Sequence, residues 1–170
     1  VTHVQVHREM ITAVEIPDLS KSFPGRDGSV KALGPVDMAV EKGSFVCILG
    51  PTGCGKTTLL RLVAGLEEPD SGSVVVHGGK EGRSPEVGFV FQQGALFPWM
   101  TVHDNVSFPL RTRRAGRTEI EEAVSRILGM VGLSAFGNAH PHQLSGGIQQ
   151  RVALDRSLVM EPDVLLLDEP

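Results

Sequence analysis

Gly50-Pro51-Thr52-Gly53-Cys54-Gly55-Lys56-Thr57 keeps the spacing G-x-x-x-x-G-K-[ST]. The glycines matter because Cβ atoms would hold backbone N–H groups away from phosphate oxygens. An apolar run precedes the turn and a helix pattern follows it, so the positive helix end adds to the cradle. Lys56 supplies a cation for β- and γ-phosphates, and Thr57 a hydroxyl for Mg²⁺. Two carboxylates, Asp168 and Glu169, close the apolar run "VLLLDE". At a strand end, Asp168 suits Mg²⁺ held through water, and Glu169 suits a general base acting on an attacking water.

A second small-residue turn, Ser145-Gly146-Gly147 in "LSGGIQQR", also opens a helix pattern and so favours an anion. It lies about ninety residues beyond the first. One triphosphate does not need both in full. A head-to-tail pair of copies resolves this, each nucleotide meeting the Lys56 loop of one copy and Ser145 of the other. Cys54 sits inside the first turn, where a helix N-terminus favours a thiolate; the plainer reading is a small filler.

The elements that must position these groups follow from periodicity. "AVEIPDLSKSF" (13–23) reads as extended, with Pro17 making it an edge or a broken strand. "VDMAVEKGSFVCIL" (36–49) reads as a hairpin turning at Glu41-Lys42-Gly43, its second run, Phe45 to Leu49, apolar enough to be covered on both faces. A helix is expected over Lys56 to Ala64, stopped by Gly65, then short strands at Ser73 to His77 and Val87 to Phe91. Residues 101–113 read as a short helix. Thr118 and Glu121 stand at capping-box spacing before the stripe Ile120, Ala123, Val124, Ile127, Leu128 and Val131. A helix from about Gly146 to Val159 precedes the last strand. The pattern is an α/β core with a helical insertion.

With 170 residues and 41% apolar content, the chain has the composition of one globular core. A net charge of −4 offers no basic field for nucleic acid. Cys47 and Cys54 form no metal-like cluster and fit a reducing compartment. His140 and His142 lack further ligands and are not read as a metal pair. No apolar run reaches the ~20 residues of a membrane span.

Together these strings resemble the nucleotide-binding subunit of an ATP-binding cassette (ABC) transporter. "GPTGCGKTTLLRLVAGL" resembles the family's Walker A segment, "VFQQ" its Q-loop, "LSGGIQQRVAL" its signature and "VLLLDEP" its Walker B. The resemblance runs from about residue 14 to the last residue. It implies a P-loop NTPase (RecA-like) core with an antiparallel β subdomain, an inserted α-helical subdomain and the C-terminal strands missing. The expected organisation is a tail (1–12), β subdomain and P-loop core (13–94), helical subdomain (95–143), then signature helix and Walker B strand (144–170).

The resemblance also implies ATP and Mg²⁺ as ligands. Phe23 would stack on adenine. Gly50, Pro51, Thr52, Gly53, Cys54, Gly55, Lys56, Thr57 and Thr58 would hold the nucleotide, with Ser145, Gly146, Gly147 and Gln149 from the second copy. Thr57, Gln92 and Asp168 would hold the metal, and Glu169 with Gln92 would serve hydrolysis. Implied partners are a second ATPase copy, transmembrane permease subunits and, indirectly, a periplasmic or extracellular solute-binding protein, with no nucleic acid. The implied place is the cytoplasmic face of the plasma (inner) membrane, peripheral through the permease.

"ALFPWMTVHDNV" (95–106) matches the surface that grips the permease. Phe97 and Trp99 read either as anchors for that partner or as plugs of the subdomain's own core. The "LFPW" form most resembles the branch importing nitrate, sulfonates, taurine and similar small anions. The alternatives are a soluble cassette ATPase without a membrane partner, or a hydrolysis-incompetent fragment. The chain starts without Met and stops after Walker B, where the family continues with a D-loop and a switch histidine; a front portion of a cassette is expected. Asp155 stands where the family has a small residue. It could pair with Arg151 on the helix surface, or be buried at a cost.

Overall fold

The computed structural model describes residues 11–26, 28–79, 83–92 and 95–169. Of the expected tail, residues 1–10 lie outside them. The chain divides into two compact units at Gly78–Gly79, whereas the sequence reading kept 13–94 together.

In the first unit, β1 (Thr12–Gly25) and β2 (Gly28–Glu41) form an antiparallel ribbon, and β3 (Val75–Val76) pairs with the other side of β1. Pro17 therefore stands in the middle strand, not at an edge. The ladder tolerates it through a register shift between Ile16 and Leu19, where Asp18 takes a φ of 47° and its N–H donates to Asp37 Oδ1 at 2.9 Å. α1 (Lys56–Val63) ends as expected, at Ala64 and then Gly65 with φ 67°. Ile16, Leu19, Leu33, Leu59 and Leu62 are among the buried side chains of this unit.

One expectation fails here. The hairpin turns at Gly25–Gly28, not at Glu41–Gly43, and Phe45 to Leu49 joins no ladder. Phe45 and Leu49 are each 88% exposed. A run without alternation specifies a strand only when neighbours flank it on both sides, and this unit supplies none to it.

In the second unit, β4 (Val87–Val90) and β5 (Val164–Leu167) run parallel, with Val90 opposite Leu167. α2 (Val102–Thr112), α3 (Arg117–Met130) and α4 (Gly146–Leu158) pack around Val102, Val106, Val124, Leu133 and Val152. The stripe on α3 faces this core as its spacing requires: Val124, Ile127 and Leu128 are buried, with Ile120, Ala123 and Val131 packed beside them. Its start is two residues earlier than expected. Gly116 is the N-cap, and its N–H donates to Glu119, not to a Thr118–Glu121 box. Among the described residues no helix is long and apolar enough to cross a membrane.

Candidate functional site

The Lys56 loop belongs to the first unit. Gly55 adopts φ 97°, and a Cβ there would lie 2.4 Å from the Ala32 carbonyl of β2. No other residue closes the loop this tightly against the ribbon. A Cβ on Gly50 would meet Cys54 Sγ at 2.6 Å, so the exposed Cys54 is packed across the loop's first residue. The filler reading of Cys54 has its geometry here. Lys56 Nζ donates to the carbonyls of Gly50 (2.9 Å) and Pro51 (3.1 Å). The cation thus folds over its own loop, held by neutral acceptors that an anionic phosphate outcompetes. Phe23 pairs with Val30 on the same stretch of ribbon, two residues from Ala32, and Lys21 Nζ lies 5.4 Å from its ring centre.

The second unit brings together two residues separated by 77 positions. Gln92 follows the end of β4 by two residues, and Glu169 follows the end of β5 by two. Gln92 Nε2 donates to Glu169 Oε2 at 2.6 Å. The parallel pairing sets both at the carboxyl ends of their strands, where α/β folds place ligands. Asp168, 5% exposed, is fixed by its N–H to the Val90 carbonyl at 3.0 Å. Glu169 follows at φ 48°, a left-handed conformation costing a residue with Cβ about 1–2 kcal/mol.

The Ser145 turn is the third element. Ser145 is the N-cap of α4, yet its hydroxyl caps nothing, forgoing roughly 1 kcal/mol of helix stabilisation. Ser145, Gly146 and Gly147 are all exposed. Gln149 is different: its Nε2 donates inward to the carbonyls of Pro141 (2.9 Å) and Leu144 (3.1 Å).

The sequence model of the family described as "ABC transporter" matches residues 33–170. The chain belongs to the ABC transporter family.

Among ABC relatives, the sulfate/thiosulfate import ATP-binding protein CysA of Pectobacterium atrosepticum is 48% identical over 93% of this chain and 49% of its own length. The nitrate import ATP-binding protein NrtD of Synechocystis sp. is 49% identical over 92% of this chain and 59% of its own. The chain therefore spans about half the length of the curated relatives it matches. Of solved structures, the dimeric post-hydrolysis cassette MJ0796 bound to ADP and Pi superposes with a TM-score of 0.81 at 33% identity, covering 91% of this chain and 72% of that one. The fold is thus that of ABC cassettes: an α/β P-loop fold with its antiparallel sheet and helices.

This ABC chain also carries a preformed loop that motif reading undervalued. The side chain of Asn105, fully buried, accepts from Phe97 N–H (2.8 Å) and donates to the carbonyls of Phe97, Met100 and Thr101. Arg156 from α4 donates to the Ala95 carbonyl at 2.8 Å and lies 5.4 Å from the Phe97 ring centre. The two readings of Phe97 and Trp99 therefore separate. Phe97 packs on Phe108 and Arg156 within the unit, whereas Trp99 is 71% exposed. An asparagine four residues into a helix reads as ordinary; the signal was its place one turn after "LFPW". Asn105→Ala should destabilise the unit by about 2 kcal/mol, since several loop groups lose one shared partner. Urea denaturation checks this.

Asp155 is buried, with neither carboxylate oxygen hydrogen-bonded, and Arg151 is exposed. The expected surface pair is absent. Burial pushes the Asp155 carboxyl up to about 7. Val152 and Val159, one turn away on either side, belong to the helical core.

Proposed function

We propose that this chain is the nucleotide-binding portion of an ABC importer ATPase, in which ATP closes two copies head to tail and hydrolysis reopens them. The observation that carries the reading is the uncapped Ser145 turn. A chain that already holds a phosphate cradle at Lys56 keeps a second helix N-terminus exposed and its serine hydroxyl unused. A partner copy's γ-phosphate is the acceptor that such a turn fits. The dimeric cassette bound to ADP and Pi supports the pairing of two copies.

Glu169 is the proposed base for the attacking water, with Gln92 holding its carboxylate in place. Mg²⁺, when bound, would neutralise phosphate charge, and Thr57, Asp168 and Gln92 are the residues proposed to hold it. Among the described residues no group of three or more His, Cys, Asp or Glu converges. Mg²⁺ is commonly held through phosphate oxygens, one or two protein oxygens and water. Phe23 is the proposed adenine platform, and the 95–143 segment the proposed helical subdomain.

The proposed partners are permease subunits, docking at the Trp99 loop on the cytoplasmic face of the membrane. The relatives named for sulfate/thiosulfate and nitrate import support a small anion as the transported solute, within the range of nitrate, sulfonates and taurine. Uptake of labelled sulfate, nitrate and taurine by cells lacking the gene separates these solutes. Unaltered uptake of every such anion would favour a soluble cassette.

The direct test is Lys56→Ala in the full-length gene product. Charge-assisted bonds to phosphate contribute about 1.5–3 kcal/mol, so MgATP affinity should fall roughly 50-fold in equilibrium dialysis. Unchanged affinity would contradict the phosphate role.

A further inference from the structure

Gln149 bonds to both peptide planes that flank Ser145, the first through its side chain and the second through its backbone N–H, which shares the Ser145 carbonyl with the Ile148 N–H. Its side-chain Nε2 donates to the Leu144 carbonyl at 3.1 Å, and its backbone N–H donates to the Ser145 carbonyl at 3.0 Å. A trans peptide is planar, with its N–H opposed to its C=O. Drawing the Leu144 carbonyl inward therefore turns the Ser145 N–H away from α4. Holding the Ser145 carbonyl does the same for the Gly146 N–H. The same Nε2 also grips the Pro141 carbonyl at 2.9 Å, tying down the turn Pro141–Gln143, which Gln143 braces through His140 N–H at 2.7 Å. Pro141 and Leu144 are buried, so this turn is anchored in the core, while Ser145 is not.

Beside these bonds the Ser145 hydroxyl is left without a cap partner. A helix start is ordinarily fixed by its N-cap side chain. Here the fixing is done from inside the first turn, and Ser145 Oγ makes no cap bond. We propose that Gln149 is a positioning residue: its side-chain amide sets the Ser145 turn for the partner copy's phosphate by orienting the Leu144–Ser145 peptide, and its amide nitrogen does not contact nucleotide. This rests on the head-to-tail reading above and gives Gln149 a different part from the nucleotide contact that the family resemblance implies.

The test uses the full-length gene product and the ATP concentration at which it dimerises, followed by light scattering. Gln149→Glu keeps the shape and loses the donor, so the carboxylate repels both carbonyls; the midpoint should rise about tenfold. Gln149→Lys restores a donor and should stay within threefold of the parent. Ser145→Ala should raise the midpoint by a similar factor, and the double variant Ser145→Ala/Gln149→Glu should be no worse than the poorer single one, because one residue acts through the other. Multiplying effects, or a Gln149→Glu midpoint equal to the parent's, would overturn the positioning role while leaving the head-to-tail reading intact. A Ser145→Ala midpoint equal to the parent's would overturn both. A general loss of structure would lower the melting temperature without producing this non-additivity or the lysine rescue; if Gln149→Glu fails to fold, Gln149→Leu carries the same comparison.

Discussion

Glu169→Gln in the full-length gene product should lower ATP turnover by about 10²–10⁴-fold and leave an ATP-bound dimer that persists at saturating nucleotide. The reason is local. An amide oxygen at position 169 still accepts the Gln92 hydrogen bond seen at 2.6 Å, so the shape of the strand ends is kept. The Asp168 N–H to Val90 bond that fixes the end of β5 involves no side chain of residue 169. Only the capacity to take a proton disappears. The groups proposed to bind the triphosphate are untouched, so the closed state should form and should not decay. Turnover close to the parent's would remove Glu169 from the role of base. A monomer at saturating ATP would remove the head-to-tail model.

The second large effect concerns stability and pH. Asp155 has its carboxyl raised from an ordinary value of 3.8 to about 7 by burial. In the unfolded chain it ionises near its ordinary value, so the unfolded state releases its proton first. Stability is fully present below about pH 4 and is lost as pH rises through 7. Between pH 5 and pH 8 the folded state should lose about 3 kcal/mol through this group alone, at 1.36 kcal/mol per unit of differential protonation. Asp155→Leu removes the titrating group from an apolar site and should abolish this part of the pH dependence, with its largest gain over the parent at pH 8. Urea unfolding of both proteins at the two pH values reads the effect. Parallel pH profiles would show that the carboxyl is solvated in the folded state.

The sequence disclosed what depends on short-range geometry. The span of α1, its Gly65 stop and the buried stripe of α3 all follow from spacing within a few turns. Of the two readings of Pro17, the edge fails and the broken strand holds: a ladder shift between Ile16 and Leu19, with Asp18 in a left-handed conformation, admits proline to a middle strand. Phe45 to Leu49 misled because its strand pattern depends on neighbours rather than on its own alternation. In the site, the residue types of the Lys56 loop were legible, but the fold of Lys56 over Gly50 and Pro51 was not. Gln92 and Glu169 meet across 77 positions only because β4 and β5 run parallel, a fact no local pattern carries. Asp155 stood out as an anomaly, yet a helix surface and a helix core look alike from a single position; only the packed unit distinguishes them.

Trp99 is the chain's single tryptophan, and the chain has no tyrosine. Its ultraviolet emission therefore originates almost wholly from one water-exposed indole on a loop that Asn105 already holds in shape. Docking of another protein on that loop would dehydrate the ring and shift its emission to the blue, while events elsewhere leave the spectrum alone. The molecule thus carries a built-in optical probe for one face of its surface, readable without any label.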